Sequence, residues 1–219
     1  MFIGHFAVGF AAKRAAPRTS LTALMVAAIF LDILWPIFLW LGLERVRIVP
    51  GLTAFNPLDF VSYPISHSLL MALVWSAAFA LLYRWRTRYA RGAWVVGFAV
   101  FSHWVLDWVS HTRDLPLAPG LPTKVGLGLW NSVPATMAVE IAMLVAGLAL
   151  YLGTTRAKGW AGHVSLWSIV ALLAVAYVSS ALGPPPPSVA ALRLVSTIAL
   201  LLTFWFVWVD RTRVLRAFV

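Results

Sequence analysis

One nine-residue stretch of the chain combines three side chains of the types that bind metals or move protons. His103, Asp107 and His111 follow one another at intervals of four residues. On an α-helix this spacing rotates each side chain by only about 40° from the one before, so all three share one stripe. Imidazole and carboxylate groups on one face suit Zn²⁺ or another divalent ion. The alternative is a polar seam that hydrogen-bonds to neighbouring helices.

Two residues from earlier apolar segments have the side chains to complete such a site. Asp32 lies four residues before Pro36, which cannot donate a backbone N–H and would loosen a helix close to the carboxylate. A protonated, purely structural Asp32 is the alternative. His67 follows Ser66, whose hydroxyl could cap the next helix and leave the imidazole free, although His67 could equally serve as the cap.

His5 and Glu140 extend the set towards both ends of the same region. His5 is eight residues before Lys13, so in a helix that ends at the cytoplasmic face it would reach ~12 Å into the membrane. An interfacial amphipathic segment is the alternative for this piece. Glu140 follows a glycine-rich approach that ends in Asn131, which indicates a loop folded against the site. Either Glu140 or Asp107, if left uncoordinated, could act as a general base.

The composition places these residues in a membrane protein. The chain has 219 residues, 62% of them hydrophobic and 11% charged, with a mean hydropathy of +0.88. A soluble domain has about 25% charged residues, so lipid must solvate much of this surface. We predict an all-α, polytopic transmembrane bundle, a single domain over residues 1–219. Six stretches have the length and apolarity of spans: 20–43, 68–85, 92–111, 134–153, 162–183 and 188–209.

The other parts of the chain have distinct predicted roles. Residues 1–12 are apolar but too short to cross a bilayer, which predicts an N-terminal half-helix. The site-bearing helices fall within residues 1–153, whereas the two spans within residues 162–209 carry few polar residues and are interpreted as scaffold. The chain has no Cys, which excludes disulfides, Cys-ligated zinc and thiol nucleophiles.

The basic residues predict orientation and argue against a nucleic-acid partner. The net charge is +10, but the Lys and Arg residues sit in short loops between apolar runs, where they set membrane topology. Twelve of the 17 fall on one side of the predicted spans and four on the other. The positive-inside rule therefore predicts that both termini lie in the cytoplasm. The two longest connections, residues 44–67 and 112–133, are then external and are predicted to be ordered lids.

The depth of the ionisable residues indicates one shared cavity. An ionisable group at membrane depth costs at least ~2.5–3.5 kcal/mol on insertion scales, so each one needs a purpose. Six such groups are predicted to lie between the middle of the membrane and its external face: Asp32, His67, His103, Asp107, His111 and Glu140. Random placement would rarely produce such a set.

The order of these motifs resembles the YdjM-like family of inner-membrane, metal-dependent hydrolases. The resemblance covers roughly residues 1–150. It rests on these pieces: Gly4-His5, Asp32, Ser66-His67-Ser68-Leu69-Leu70, Ser102-His103 followed by Asp107 and His111, and Val125 to Ser132 with Trp130-Asn131. That family is distantly similar to zinc-dependent phospholipases C and single-strand nucleases.

The resemblance implies a ligand set and an activity. It assigns metal binding, with Zn²⁺ as the expected ion, to His5, Asp32, His67, His103, Asp107 and His111, and it adds Glu140 as a seventh ligand. The chain departs from the soluble zinc enzymes in having fewer histidines and no processed N-terminus to supply an amine. One or two metal ions are therefore expected rather than three.

The leading functional hypothesis is a membrane-embedded hydrolase that acts at the external face on a phosphoester of a lipid or lipid-linked substrate. Arg113 and Lys124 could offset phosphate charge, and Asn131 is a third predicted substrate contact; simple loop solvation is the alternative for the two basic residues. The rival is a transporter or channel for protons or divalent metal that uses the same His/Asp cluster. The cytoplasmic halves of the spans are nearly free of ionisable groups, which disfavours it. A non-catalytic scaffold would leave the inserted charges without a purpose.

Overall fold

Helices make up most of the protein. The structure, a computed structural model, describes residues 1–216. Ten α-helices lie within them: α1 (Ile3–Ala15), α2 (Leu21–Ala28), α3 (Phe30–Trp40), α4 (Pro64–His67), α5 (Leu69–Thr87), α6 (Ala90–Ser110), α7 (Val133–Thr154), α8 (Trp160–Leu182), α9 (Val189–Ala199) and α10 (Leu202–Thr212). The strands form three antiparallel pairs: β1 (Arg45–Ile48) with β2 (Leu58–Ser62), β3 (Leu115–Pro116) with β4 (Lys124–Val125), and β5 (Thr155–Ala157) with β6 (Arg213–Leu215).

The helices confirm the predicted all-α membrane bundle. Four single helices and the α9–α10 pair are each long and apolar enough to cross a bilayer. The pair α2–α3 passes the same test as a bent unit, which brings the number of candidate spans to six. The candidate spans are Leu69–Thr87, Ala90–Ser110, Val133–Thr154, Trp160–Leu182, Val189–Thr212 and the bent pair.

The first predicted span, residues 20–43, is broken rather than continuous. Helices α2 and α3 meet at Ile29 with a bend of 56°. Pro36 lies inside α3, so the break precedes it rather than following from it. The ring of His103 instead donates from Nδ1 to the carbonyl of Ala28, the group that would accept from Asp32 in an unbroken helix. Insertion of a side chain into the backbone ladder is a known cause of such kinks.

Helix α1 is the predicted half-helix, and it lies inside the bundle rather than at the interface. Eight of its 13 residues are buried. It packs most extensively on α7, where a Cβ on Gly147 would lie 2.4 Å from the carbonyl oxygen of Ala7. Only glycine allows so close an approach of the two backbones. This contact fixes the height and rotation of α1, and therefore of His5.

The connections gather at the two ends of the bundle in the alternation predicted from charge. The long connections 44–67 and 112–133 meet at one end, where the backbone N–H of Phe55 donates to the carbonyl of Trp130 over 3.0 Å. These loops contain the pairs β1–β2 and β3–β4, which gives them the predicted order. At the opposite end β5 pairs with β6, and Arg91 bonds the carbonyl of Ala15. Which end faces the cytoplasm stays a prediction from the positive-inside rule.

Candidate metal centre

Helix α6 contributes two side chains to a buried polar cluster. His103 and Asp107 are one turn apart on the face that points into the bundle, and both are buried. His103 Nε2 lies 3.2 Å from Asp107 Oδ2. The four-residue spacing on the helix therefore brings the imidazole and the carboxylate together, as the sequence predicts.

The proton on His103 is assigned by its backbone partner. Nδ1 lies 2.9 Å from the carbonyl oxygen of Ala28, which can only accept, so in the neutral ring Nδ1 carries the hydrogen. Nε2 then presents a lone pair. Among residues 1–216 this buried atom has no hydrogen-bond partner, and it faces Asp107 and, at 3.6 Å, Asp32 Oδ1. A lone pair directed at carboxylate oxygens is unfavourable unless positive charge stands between them, either a metal ion or a second proton on the ring.

His67 and Asp32 form the side of the cluster contributed by α4 and α3. His67 Nε2 lies 3.5 Å from Asp32 Oδ1 and 3.7 Å from Asp107 Oδ2. His67 is buried, whereas the side chain of Asp32 is 47% exposed. Asp32 therefore marks the side from which the cluster can be reached.

Helix α1 brings His5 to the opposite side. His5 Nε2 lies 3.1 Å from Asp107 Oδ1, and the ring stacks on His103 with centroids 3.6 Å apart. The amino group of Met1 also contacts Asp107 Oδ1, and it lies 3.1 Å from the hydroxyl of Ser110. The sequence analysis counted the lack of an N-terminal amine ligand as a departure from the soluble zinc enzymes, so an amino group beside Asp107 differs from that expectation. Met1 is accordingly buried within the bundle.

Five of the six predicted metal ligands converge. The ligand atoms of His5, His103 and Asp107 all lie within 4.8 Å of one another, and so do those of Asp32, His67 and His103. We call these five residues the His/Asp cluster. Because His103 belongs to both groups, the cluster is one continuous set of donors from four helices, and it could hold a metal ion.

His111 does not join either group. Helix α6 ends at Ser110, and His111 has the extended backbone of the residue beyond the helix. The stripe that begins at His103 therefore stops after Asp107. His111 Nδ1 lies 3.2 Å from the hydroxyl of Tyr63 and 3.1 Å from Asp114 Oδ1.

Glu140 holds the start of α1. Its Oε2 accepts hydrogen bonds from the backbone N–H groups of Phe2 (2.8 Å) and Gly4 (3.0 Å). A carboxylate at this position satisfies helix N–H groups that have no partner within the helix. Oε1 is buried and has no hydrogen-bond partner among the described residues. The contacts give Glu140 a structural task beside its predicted role as a base.

The three predicted substrate contacts lie outside the cluster. Arg113, Lys124 and Asn131 are all exposed on the connection between α6 and α7. Lys124 is part of β4, and Asn131 ends a short 3-10 helix, Leu129–Asn131. Their role towards a substrate stays a prediction.

Two buried residues at the site, Glu44 and Tyr63, were given no functional role by the sequence analysis. Glu44 is fully buried and accepts hydrogen bonds from the turn that carries His67. Tyr63 is buried between His67 and His111. Burial and the nearby charges of Asp114, Asp107 and Glu44 raise the pKa of Tyr63 well above its usual value, so its hydroxyl keeps its proton.

Comparison with known proteins shows to which family the chain belongs. The chain matches the model of the YdjM inner membrane protein family over residues 1–183, and it belongs to that family. The match confirms the resemblance drawn from the motifs and extends it into α8. No curated protein and no solved structure matches the chain at a significant level. The distant likeness to zinc phospholipases and nucleases stays a prediction.

Proposed function

Taking membership of the YdjM inner membrane protein family as the premise, we propose that this chain is a metal-dependent hydrolase embedded in the membrane. We assign the phosphoester of a lipid or lipid-linked molecule as its substrate, at the face predicted to be external. The observation that carries the proposal is Nε2 of His103, a buried atom that has no hydrogen-bond partner among residues 1–216 and lies 3.2 Å from Asp107 Oδ2 and 3.6 Å from Asp32 Oδ1.

The donor set of the His/Asp cluster fits Zn²⁺. Imidazole nitrogen and carboxylate oxygen are both common zinc ligands. His5, His67, His103 and Asp107 are buried, and Asp32 is the partly open member. Apart from the contact between Asp107 and the Met1 amino group, the carboxylates and neutral ring nitrogens of the cluster have no cationic partner among the described residues, so bringing them together without a metal is costly. One or two divalent ions would remove this penalty.

The residues around the cluster have separable tasks. A divalent metal held there would supply Lewis-acid activation of water and of the phosphoryl group. The Ala28 carbonyl orients His103 by accepting its Nδ1–H, and outer partners of this kind fix a ligand's tautomer. Glu140 holds the start of α1, which places His5. Asp32 leaves one side of the cluster accessible.

A lipid phosphoester suits the position of this opening. Asp32 lies in the first turn of α3, within the bent candidate span, and its side chain is 47% exposed, so we expect its exposed face to open at membrane depth. A lipid-anchored substrate can reach such an opening laterally, whereas a soluble substrate would first have to leave water. The exposed Lys124 and Arg113 lie on the loop at the same end of the bundle, where they could attract a phosphate group.

The packing below the cluster supports hydrolysis over transport. Between the cluster and the end of the bundle predicted to be cytoplasmic lie buried apolar side chains of α1, α2 and α6, including Phe10, Met25, Val96 and Val100. A transporter for protons or metal needs a polar path to both faces. The described residues in this layer offer apolar contacts instead.

Elemental analysis of the purified protein tests metal binding. We expect bound zinc in the wild type prepared without chelator, and strongly reduced zinc in His103→Ala and Asp107→Ala. The matched control is His163→Ala, because His163 lies exposed on α8, away from the cluster. A metal-free wild type, or equal retention in all three variants, would overturn the proposed centre.

A substrate panel tests catalysis separately. Wild type loaded with zinc should hydrolyse at least one member of a phospholipid and lipid-phosphate panel, and His103→Ala should lose that activity while His163→Ala keeps it. Zinc that binds to the wild type without hydrolysis of any lipid phosphoester would contradict the assigned substrate class and leave metal binding in place.

A further inference from the structure

Glu44 is a buried carboxylate that faces the turn carrying His67. Its Oε1 accepts from the backbone N–H groups of Ile65 (2.9 Å) and Ser66 (2.8 Å). Its Oε2 accepts from the hydroxyl of Ser66 over 2.6 Å. Glu44 and Ser66 are both fully buried. The carboxylate therefore anchors this turn with three hydrogen bonds. The third bond uses the only hydrogen of the Ser66 hydroxyl.

The hydrogen bond from Ser66 to Glu44 determines which ring nitrogen of His67 carries the proton. Ser66 Oγ lies 2.7 Å from His67 Nδ1. Because the hydroxyl donates its only hydrogen to Glu44, Oγ can only accept from the ring, so Nδ1 must carry a hydrogen. In the neutral ring Nε2 is then bare, and it is Nε2 that faces Asp32 and Asp107.

We propose that Glu44 is a positioning residue that acts through Ser66 to keep His67 in the tautomer whose Nε2 can bind metal. This inference rests on the proposed metal centre and adds to it the device that prepares one of its ligands. The Ala28 carbonyl does the same for His103, so in their neutral forms two of the three histidines in the cluster present a bare Nε2 to a metal. Partners of this kind raise metal affinity because no proton has to be displaced.

Replacement of Glu44 by glutamine reverses the relay without changing its shape. The amide oxygen is favoured at the Oε1 position, because two backbone N–H groups point at it. The NH₂ group then takes the Oε2 position and donates to Ser66 Oγ. The hydroxyl must turn its hydrogen towards His67, which moves the ring proton to Nε2, where it can donate to Asp32 or Asp107.

Nitrogen NMR of the histidine rings in metal-free protein tests the relay directly. The chain has five histidines, so the spectrum is sparse, and the His67 signals are identified by their loss in His67→Ala. In the neutral form we expect Nδ1 of His67 to be protonated in the wild type and Nε2 to be protonated in Glu44→Gln. Wild-type protein with the proton on Nε2, or Glu44→Gln with an unchanged tautomer, would overturn the proposal.

Ser66→Ala provides a second test that leaves the two backbone bonds of Glu44 in place. Without the hydroxyl, Nδ1 of His67 loses its acceptor, so the proton should again move to Nε2. Ser102→Ala is the matched control, since Ser102 also precedes a cluster histidine but donates to the carbonyl of Ala99 within α6. A His67 tautomer unchanged in Ser66→Ala would contradict the relay even if Glu44→Gln failed to fold.

Zinc affinity distinguishes failure of this inference from failure of the metal centre. We expect zinc to bind about 10–100-fold more weakly to Glu44→Gln and Ser66→Ala, and unchanged to Ser102→Ala, as is typical for loss of an outer partner. If the wild type binds zinc and every variant binds it equally well, the relay is overturned but the metal centre is not. A wild type that binds no zinc would overturn the metal centre, while the NMR result would still decide the tautomer.

Discussion

Charged side chains gather in two regions of the bundle, and the partners of these side chains differ. At the end of the bundle opposite the long loops, Lys13, Asp210 and Arg213 form what we call the base network. Asp210 accepts from the N–H groups of Leu21 and Thr22, Lys13 donates to the carbonyl of Thr19, and Arg213 donates to backbone carbonyls. In the His/Asp cluster, ionisable side chains mainly face one another, and Nε2 of His103 has no hydrogen-bond partner among residues 1–216.

The comparison teaches that the kind of partner, more than burial itself, separates the charges with structural contacts from those proposed to be functional. Charges in the base network tie strand and helix ends together, a common use of polar groups near membrane interfaces. Charges in the His/Asp cluster satisfy little of the backbone and leave donor atoms free to bind a ligand. Substitutions in the two regions should therefore change different measurable quantities.

The largest expected effect comes from the same substitution made in each region. Asp107→Asn should weaken zinc binding by more than about 100-fold, since loss of outer partners alone gives 10–100-fold. Asp210→Asn should leave zinc affinity unchanged and lower the free energy of unfolding by about 1–2 kcal/mol, because one backbone donor at the start of α2 loses its acceptor. Zinc titration and Tm check both variants. Equal loss of zinc in the two would erase the distinction between the regions.

Zinc should stabilise the fold through the His/Asp cluster and not through the base network. At a free zinc concentration of 100 times Kd, a ligand that binds only the folded state adds about 2.7 kcal/mol to the free energy of unfolding. We expect a corresponding rise in Tm for the wild type and for Asp210→Asn, but none for His103→Ala. The 12 tryptophans provide an intrinsic fluorescence signal for the measurement. A rise of the same size in His103→Ala would mean that zinc binds elsewhere.

Two glycines of α7 test how the scaffold places the cluster. A Cβ on Gly147 would overlap the backbone of Ala7, so Gly147→Ala must push α1 and α7 apart and displace His5. We expect a loss of about 1–3 kcal/mol in the free energy of unfolding together with weaker zinc binding. Gly153→Ala is the control, because nothing lies within 4 Å of a Cβ there. It should be neutral or slightly stabilising. If Gly147→Ala loses stability but keeps full zinc affinity, then α1 does not set the ligand geometry.

Much of this arrangement could be predicted from the sequence, for physical reasons that are specific to membranes. Apolar runs of about 20 residues have few alternatives to spanning helices, which made the bundle predictable. The cost of an ionisable residue at membrane depth then pointed to Asp32, His67, His103 and Asp107, and the structure brings these four together.

The details that depend on tertiary contacts could not be predicted in the same way. Helix periodicity places His111 on the stripe of His103 only if the helix continues, and α6 ends one residue too early. The bend at Ile29 depends on a hydrogen bond from a residue 75 positions away, and the burial of Glu44 depends on where the loop after α3 folds. Neither contact leaves a local pattern in the sequence.

The smallest expected effect belongs to the exposed charges on the loops. Lys124→Ala should leave zinc content and Tm unchanged, because Lys124 is exposed and lies outside the His/Asp cluster. If the substrate is an anionic phosphoester, the variant should raise KM by about two- to five-fold with kcat unchanged, and added salt should reduce the difference because it screens surface charges.

The matched control is Arg47→Ala, since Arg47 is also exposed on a loop at this end but already pairs with Asp59. An equal rise in KM for both variants would indicate general attraction by surface charge rather than a contact from Lys124. An altered zinc content in Lys124→Ala would place the β3–β4 loop nearer to the cluster than the structure does.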